Sequence, residues 1–267
     1  MARKSQGKDK GKSRAVPASR SSRFASMARL AGGVAGGMLA EGTRQLRAGK
    51  RPTSRDLLLT PGNARRVADQ LATMRGAAMK VGQILSMDTG DFLPRELTDI
   101  LARLRDDAKH MPHEQLHKAM AEAYGPEWES LFYGFDTTPI AAASIGQVHR
   151  TISPDGRDIV LKVQYPGVAD SIESDVDNIA SLLRLSGLLP DGMDISPLLK
   201  DAKEQLKDEA DYLKEAKYLQ DFRRKLGDDE RYVLPEVLPQ LTRRNVLAMT
   251  YVSGGPIDKL RDVPQAE

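Results

Sequence analysis

The spacing of apolar residues changes once along this chain, at Pro139, and this change limits the possible folds more than any other feature of the sequence. Before Pro139, apolar residues recur every three or four positions, which is typical of amphipathic helices. After it, apolar and polar residues alternate over 148–152 and again over 159–163, with a Pro-Asp-Gly turn between them. The sequence therefore predicts an antiparallel hairpin behind a helical first half.

The helical first half contains one long amphipathic pattern that begins at Thr60. Thr60 is a capping residue type, and Pro61 suits a first helical turn. The apolar stripe consists of Leu71, Met74, Ala78, Val81 and Leu85. Lys80 and Gln83 lie one turn apart on the flank of that stripe. For this helix alone, a solvent-exposed lysine and glutamine are the simpler interpretation. Further helices are predicted over 94–106 and 113–124.

A single lysine, Lys162, lies in the second strand of the predicted hairpin between aliphatic neighbours. Such a lysine usually faces solvent, but an alanine-rich loop precedes it at the distance that nucleotide sites use. In such sites the loop covers the phosphates, and the lysine reaches the same oxygens as a point charge. The loop residues are Ala141, Ala142, Ala143 and Ser144. We expect the alanine methyl groups to stiffen the loop and to restrain phosphate binding.

One long helix is predicted over 196–222, because Ser196 and Pro197 suit a helix start and apolar residues recur at helical spacing. Its predicted buried stripe is Leu199, Ala202, Leu206, Ala210 and Leu213. Most acidic residues of this helix are expected to be solvated and paired with its lysines. Glu209 is expected to be half-buried. From helix geometry alone, either Glu209 or Glu215 is a suitable partner for Lys162.

The end of the chain and its composition set further limits. Two short strands are predicted over 232–237 and 246–252, and a Gly-Pro hinge follows them. The chain has no cysteine, which excludes a disulfide scaffold and a cysteine-based zinc site. The histidines at 110, 113 and 117 are interpreted as solvated or capping residues, and no metal site is predicted there.

The first residues are strongly basic although the net charge is only +3. Residues 1–24 hold eight lysine and arginine side chains and one acid, and we expect this segment to be disordered. A basic tail is attracted to an anionic membrane surface or to nucleic acid. A solvated tail without a fixed partner is an equal alternative. A nucleic-acid partner ranks lowest, because no aromatic platform accompanies the charges.

An apolar, glycine-rich run over 27–40 follows the basic segment. It is too short to span a bilayer and has no secretory cleavage pattern behind it. Its small residues suit close packing against a partner helix, a membrane surface or the protein's own core. We therefore expect a cytoplasmic protein that associates with membranes peripherally, without a transmembrane helix or signal peptide.

Four motifs in this order resemble the UbiB/AarF family of atypical kinases. They are Lys80-Val81-Gly82-Gln83, the loop from Ala141 to Val148, the strand of Lys162, and Glu209-Ala210-Asp211-Tyr212 with Glu215. The resemblance implies an α+β fold, a protein-kinase-like N-lobe in which an antiparallel sheet packs on a long αC-type helix. A helical extension would precede this lobe. The implied function is that of a nucleotide-binding ATPase, rather than a protein kinase, in ubiquinone (coenzyme Q) biosynthesis.

The resemblance also implies roles for individual residues. In the catalytic region, the extension folds over the active site, so that Lys80 contacts Glu209 and Asp211, and Gln83 belongs to the same motif. The nucleotide-binding set is Ala141, Ala142, Ala143, Ser144, Lys162 and Glu215. Glu215 is the implied ion-pair partner of Lys162. The implied cofactor is ATP or ADP with Mg²⁺, whose ligands we expect from a C-lobe.

This sequence departs from the family pattern in one respect. A phosphotransferase needs an HxD-type catalytic loop and a DFG-type metal motif, and neither occurs in the 267 residues. We therefore expect the C-lobe to be absent and the chain to be catalytically incompetent alone. The alternative is a non-catalytic module of the same family that binds membranes or partners.

The expected organisation has four parts. Residues 1–24 form the tail, 25–135 the helical extension, 136–258 the N-lobe and 259–267 a tail after the hinge. Expected partners are a nucleotide, an anionic membrane or lipid, and proteins of ubiquinone biosynthesis. Pairing with a second copy stays open.

Overall fold

A small antiparallel sheet with helices on both of its faces forms the centre of the protein. The computed structural model describes residues 20–49, 57, 60, 62, 71, 74–89, 110–186, 193–227 and 229–255. The helices are α1 (Arg20–Arg47), α2 (Arg75–Thr89), α3 (His113–Tyr124), α4 (Val168–Ser186), α5 (Ser196–Glu209) and α6 (Tyr212–Leu226). The strands are β1 (Ala141–Ala142), β2 (Gly146–Ile152), β3 (Asp158–Gln164) and β4 (Val246–Thr250), and they pair in sequence order.

The predicted hairpin is confirmed. Strands β2 and β3 pair antiparallel, and Val148 lies opposite Lys162. Gly156 closes the connecting turn with a φ of 83°, a conformation that glycine adopts without strain. Because side chains alternate across a strand, β3 directs Ile159, Leu161 and Val163 to one face of the sheet and Lys162 to the other.

Each face of the sheet is covered by its own hydrophobic core. The core on the Lys162 face contains residues of α2, α4, α5 and α6, together with Ile145 and Leu247. The core on the opposite face contains α3, Trp128 and Phe132, which pack against the aliphatic residues of β3 and β4. In the helical extension, Leu71, Met74, Ala78 and Val81 are buried as predicted, whereas the side chain of Leu85 lies outside the described residues.

The single long helix predicted over 196–222 is wrong. The chain forms two helices, α5 and α6, separated at Ala210 and Asp211. The Asp211 carboxylate accepts hydrogen bonds from the backbone N–H groups of Leu213 and Lys214 at 3.1 and 3.3 Å, so it caps the start of α6. Leu213, which was predicted to be buried on a single helix, lies just after this break and is 52% exposed.

The structure differs from prediction in two other elements. Residues 232–237 do not form a strand, and only Val237 makes a bridge, to Met249. Pro235 has no N–H group to donate to a sheet, which explains why regular pairing fails there. Helix α4 was not predicted, although its buried residues recur at helical spacing: Ile172, Val176, Ile179, Ala180 and Leu183.

Helix α1 begins at Arg20, before the end of the segment 1–24 that was expected to be disordered. The helix predicted over 94–106 and the tail 259–267 lie outside the described residues. The division of the chain into four parts therefore stays a prediction. In the part of the chain that the structure describes, no helix is long and apolar enough to cross a membrane.

Candidate functional site

Lys162 and Glu215 form an ion pair on the sheet face that α5 and α6 cover. The Lys162 Nζ atom donates to both carboxylate oxygens of Glu215, at 2.6 and 2.8 Å. The exposed fractions of the two side chains are 17% and 34%, so the pair lies at the edge of the core and remains open to solvent. Of the two partners that helix geometry allowed, the structure selects Glu215. An ammonium group held in this way can also meet an anionic ligand.

The alanine-rich loop ends in a tight turn beside this lysine. Ala141 and Ala142 pair with β2, and the Ala143 N–H donates to the Gly146 carbonyl at 2.9 Å. Ala141 and Ala142 are exposed, while Ala143 is half-buried. The loop is thus a paired, closed turn with two of its methyl groups facing solvent.

Gly146 belongs to the alanine-rich turn and lies next to β3 and the Tyr212 side chain. A Cβ atom at this position would collide with the Val163 carbonyl oxygen of β3, and it would lie 2.9 Å from the Tyr212 Oη atom. The Ile145 carbonyl accepts a hydrogen bond from the Tyr165 N–H at 2.9 Å, which fixes the turn to the end of β3. The turn therefore packs on β3 without room for a side chain at 146.

Glu209 joins the alanine-rich loop to the helical extension. Its Oε1 atom accepts from Lys80 Nζ at 2.5 Å, and its Oε2 atom accepts from Ser144 Oγ at 3.0 Å. Helix α2 lies directly on the turn, because a Cβ at Gly76 would approach Ile145 Cγ2 at 2.7 Å and the Ser144 carbonyl oxygen at 2.9 Å. The contact between Lys80 and Glu209 is thus present, as is the expected half-burial of Glu209.

Two other residues predicted for this region have different positions from those expected. The carboxylate of Asp211 caps α6, and among the described residues the ion pair of Lys80 is with Glu209. Gln83 is exposed on α2. The paired contact of Lys80 with both Glu209 and Asp211 is therefore reduced to Glu209, because Asp211 is used to start a helix.

The junction between α5 and α6 is anchored to the sheet by hydrogen bonds. Gln164 Nε2 at the end of β3 donates to the Ala210 carbonyl at 2.9 Å, and the Tyr212 N–H donates to the Arg244 carbonyl at 3.2 Å. These anchors fix Glu209 before the junction and Glu215 after it. No role was predicted for Gln164, or for Tyr212 although it belongs to the Glu209-Ala210-Asp211-Tyr212 motif, because a buried glutamine in a strand and a tyrosine beside an acidic pair have no distinctive spacing.

Tyr212 is the aromatic residue of this site. Its side chain is fully buried, and the Lys162 Nζ atom lies 4.8 Å from the centroid of its ring. Burial, together with the nearby Glu215, raises the pKa of the Tyr212 phenol well above its ordinary value of 10. The phenol is therefore neutral at physiological pH and adds no charge beside the lysine.

The described residues contain no group of three histidine, aspartate or glutamate side chains that could hold a metal ion. His117 lies 3.7 Å from Glu129 in an exposed contact, which agrees with its interpretation as a solvated residue. The described residues supply the positive charge of Lys162 beside the closed turn of the alanine-rich loop. Those features suit phosphate oxygens, but they do not supply metal ligands.

The known proteins that this chain resembles in sequence are atypical kinases. The ABC1 atypical kinase-like domain matches residues 103–267. The mitochondrial atypical kinase COQ8 of Saccharomyces cerevisiae is 42% identical over 258 residues, which are 97% of this chain and 52% of that protein. The mitochondrial atypical kinase COQ8B of Danio rerio is 41% identical over 261 residues, 96% of this chain and 42% of that protein.

A solved structure, the complex of Rv3197 with erythromycin from Mycobacterium tuberculosis, is 29% identical with a TM-score of 0.46, covering 73% of this chain and 51% of that chain. The chain spans about half the length, or less, of the curated relatives described above. The family match covers more than half of this chain, and the yeast relative aligns with nearly all of it. The resemblance to these atypical kinases is thus confirmed, and the chain belongs to the ABC1 atypical kinase-like family.

Proposed function

We propose that this chain is the nucleotide-binding N-lobe, with its helical extension, of an atypical kinase that acts as an ATPase in ubiquinone biosynthesis. The ion pair between Lys162 and Glu215, beside the alanine-rich turn, is the observation that carries this proposal. In kinase-like sites a strand lysine of this kind contacts nucleotide phosphates, and a helix glutamate holds it in place. Lys162 would bind the phosphates of ATP or ADP, and Glu215 would orient it.

The alanine-rich turn supports a restrained form of nucleotide binding. Glycines in such loops allow backbone N–H groups to wrap closely around phosphates, whereas alanines limit the available backbone conformations. The Ala143 N–H is already used within the turn, where it donates to Gly146. We therefore expect Ala141, Ala142, Ala143 and Ser144 to cover the nucleotide loosely and to disfavour a productive kinase pose.

The contact between α2 and the turn supports ATPase activity over phosphorylation of other proteins. Lys80 and Ser144 both bind Glu209, and Gly76 lies against the turn. The extension would thus occupy the side of the loop where a protein substrate would dock. ATP would supply the transferable phosphoryl group with Mg²⁺, whose ligands are not among the described residues.

Nucleotide titration of the purified chain tests the proposal. We expect ATP and ADP with Mg²⁺ to bind, and Lys162→Ala to weaken binding about tenfold or more, since a charge-assisted hydrogen bond is worth about 1.5–3 kcal/mol. Lys118→Ala is the matched control, because Lys118 is exposed on the opposite side of the sheet. Equal affinities for both variants, or no binding by the unchanged chain, would overturn the proposal.

The 267 residues are not expected to hydrolyse ATP above background, because the HxD-type and DFG-type motifs are absent from them. The same preparation tests this expectation through phosphate release in the presence of Mg²⁺. Sustained turnover that Lys162→Ala abolishes would contradict it.

A second candidate function is binding to an anionic membrane surface through α1. One face of this helix carries Gly32, Gly36, Leu39 and Leu46, which follow a helical spacing. Leu39 and Leu46 are 72% and 63% exposed, and a Cβ at either glycine would meet nothing within 4 Å. Pelleting with anionic and neutral liposomes, with and without residues 1–49, tests this candidate. Equal pelleting of the two chains would exclude it.

A further inference from the structure

We propose that Tyr212 is a positioning residue that holds the Lys162 ammonium group through the face of its ring, beside the Ser144–Gly146 turn. This role rests on the nucleotide site proposed above. Among the described residues, the Lys162 ammonium group also donates to the carboxylate of Glu215. The ring of Tyr212 provides a second contact, because a cation is attracted to the negative face of an aromatic ring within about 6 Å.

Hydrogen bonds anchor the backbone at and just before Tyr212. It is the first residue of α6, directly after the Asp211 cap, and its N–H donates to the Arg244 carbonyl at 3.2 Å. Two residues earlier, the Ala210 carbonyl accepts a hydrogen bond from Gln164 Nε2 at 2.9 Å. The ring thus has a set position relative to the strand that carries Lys162.

The opposite end of the ring reaches the alanine-rich turn. The Tyr212 Oη atom lies 2.9 Å from the point where a Cβ at Gly146 would stand, and the residue is fully buried. Among the described residues, no hydrogen-bond partner lies within reach of this hydroxyl. The burial of Tyr212 is therefore explained by packing of its ring or by the contact of the ring face with Lys162, and not by a hydrogen bond of its hydroxyl.

Two explanations for the aromatic ring of Tyr212 predict different results when the ring is changed. If Tyr212 only fills the core, any ring of the same size serves equally well, whatever its electron distribution. If the ring face holds the ammonium group, an electron-poor ring of the same shape releases it. Phenylalanine keeps the ring face and removes the hydroxyl, and pentafluorophenylalanine keeps the ring but reverses the charge distribution of its face.

The experiment measures how fast Lys162 is acetylated by a water-soluble ester, with mass spectrometry and without nucleotide. We expect Tyr212→Phe to react as the unchanged chain does, and pentafluorophenylalanine at position 212 to raise the rate about threefold or more. Lys214 is the internal control, because its Nζ atom is exposed and binds Asp208 at 2.9 Å. Tyr218→Phe is the matched control variant, since Tyr218 is 57% exposed on the same helix.

Equal Lys162 rates for phenylalanine and pentafluorophenylalanine would overturn the role of the ring face. A rate increase in Tyr212→Phe as large as that with pentafluorophenylalanine would also overturn it, because the hydroxyl would then be responsible. ATP titration of the same variants should show weaker binding only for the fluorinated ring. If the unchanged chain binds no ATP, the proposed function fails, while the acetylation rates still decide whether Tyr212 holds Lys162.

Discussion

At the scale of single residues, two glycines allow backbone segments to approach closely at the candidate site. Gly146 lies against β3 and Tyr212, and Gly76 lies against the turn at Ser144 and Ile145. Both contacts involve backbone atoms, which cannot move aside as the end of a flexible side chain can. Neither glycine has a positive φ, so the close contact, and not an unusual backbone conformation, favours glycine at both positions.

We expect Gly146→Ala to lower the free energy of unfolding by about 1–3 kcal/mol, because the added methyl group overpacks a site without space. Chemical denaturation measures the change. Gly254→Ala is the control, since a Cβ there meets nothing within 4 Å, and we expect it to stay within about 0.5 kcal/mol of the unchanged chain. Similar losses for the two variants would contradict the steric explanation.

A buried histidine lies on the opposite face of the sheet from Lys162. The Nδ1 atom of His149 is 2.8 Å from the Asp136 carbonyl, which can only accept, so Nδ1 carries the proton. Its Nε2 atom then accepts from Gln147, whose Oε1 accepts from the Met111 N–H at 2.9 Å. Burial lowers the pKa of His149 below its ordinary value of 6.5, and the nearby His110 acts in the same direction.

This histidine predicts acid-sensitive stability. A folded-state pKa below the unfolded value means that the unfolded chain binds the proton more readily, so stability falls as pH decreases below about 6.5. The loss is at most about 1.4 kcal/mol per pH unit for one proton. Thermal unfolding between about pH 7.5 and pH 5 should show a shallower pH dependence for His149→Asn. His113→Asn is the control, because His113 is exposed; a slope unchanged in His149→Asn would refute the assignment.

At the scale of secondary-structure elements, the division between α5 and α6 determines where the two carboxylates point. On an unbroken helix, residues six positions apart are separated by about 120° around the axis. The Asp211 cap ends that regular relation, and the anchors from Gln164 and Arg244 fix a new one. As a result, Glu209 meets Lys80 of α2, while Glu215 meets Lys162 of β3.

We expect Asp211→Ala to destabilise the protein by about 0.5–2 kcal/mol, the usual cost of losing a helix N-cap. Asp208→Ala is the matched control on the preceding turn, because the pair that its carboxylate forms with Lys214 is exposed. That change should stay within about 0.5 kcal/mol. Equal effects in denaturant unfolding would show that Asp211 contributes as a surface charge and not as a cap.

The hairpin and the apolar stripe of α2 were predictable, since alternation and helical spacing are local signals. The pairing of Lys162 with Glu215 was implied by the family resemblance, because helix geometry alone left Glu209 as an alternative. The break at Asp211 was not, because aspartate occurs both within helices and at N-caps, and the sheet contacts that select the cap are distant in sequence. Asp211 was therefore given a partner in Lys80 that it does not have. Helix α4 was predictable from its spacing, whereas the failure of 232–237 to pair depends on Pro235 and on which edge of the sheet is available.

At the scale of the whole molecule, a small polar contact links α2 of the helical extension to the alanine-rich turn and to α5. Glu209 binds Lys80 from the extension and Ser144 from the turn, and hydrophobic residues of α2 surround this contact. The side chain of Lys80 is 17% exposed and that of Glu209 is 34% exposed. Solvent therefore screens the pair only partly.

A double-mutant cycle on Lys80 and Glu209 should reveal coupling between the extension and the lobe. We expect a coupling free energy of about 1 kcal/mol from the unfolding of Lys80→Ala, Glu209→Ala and the double variant. The exposed pair of Lys203 and Asp177 between α5 and α4 serves as the control cycle. Strictly additive effects of Lys80→Ala and Glu209→Ala would show that the extension is held by apolar packing alone.

The Asp211 cap divides the acidic segment into two helices, and each of them carries one of the two paired carboxylates. A continuous rod would withdraw both carboxylates at once whenever it rotated. Here the acid that holds α2 and the acid that holds the strand lysine belong to different helices, so a substitution can remove one of these contacts and leave the sequence of the other helix intact.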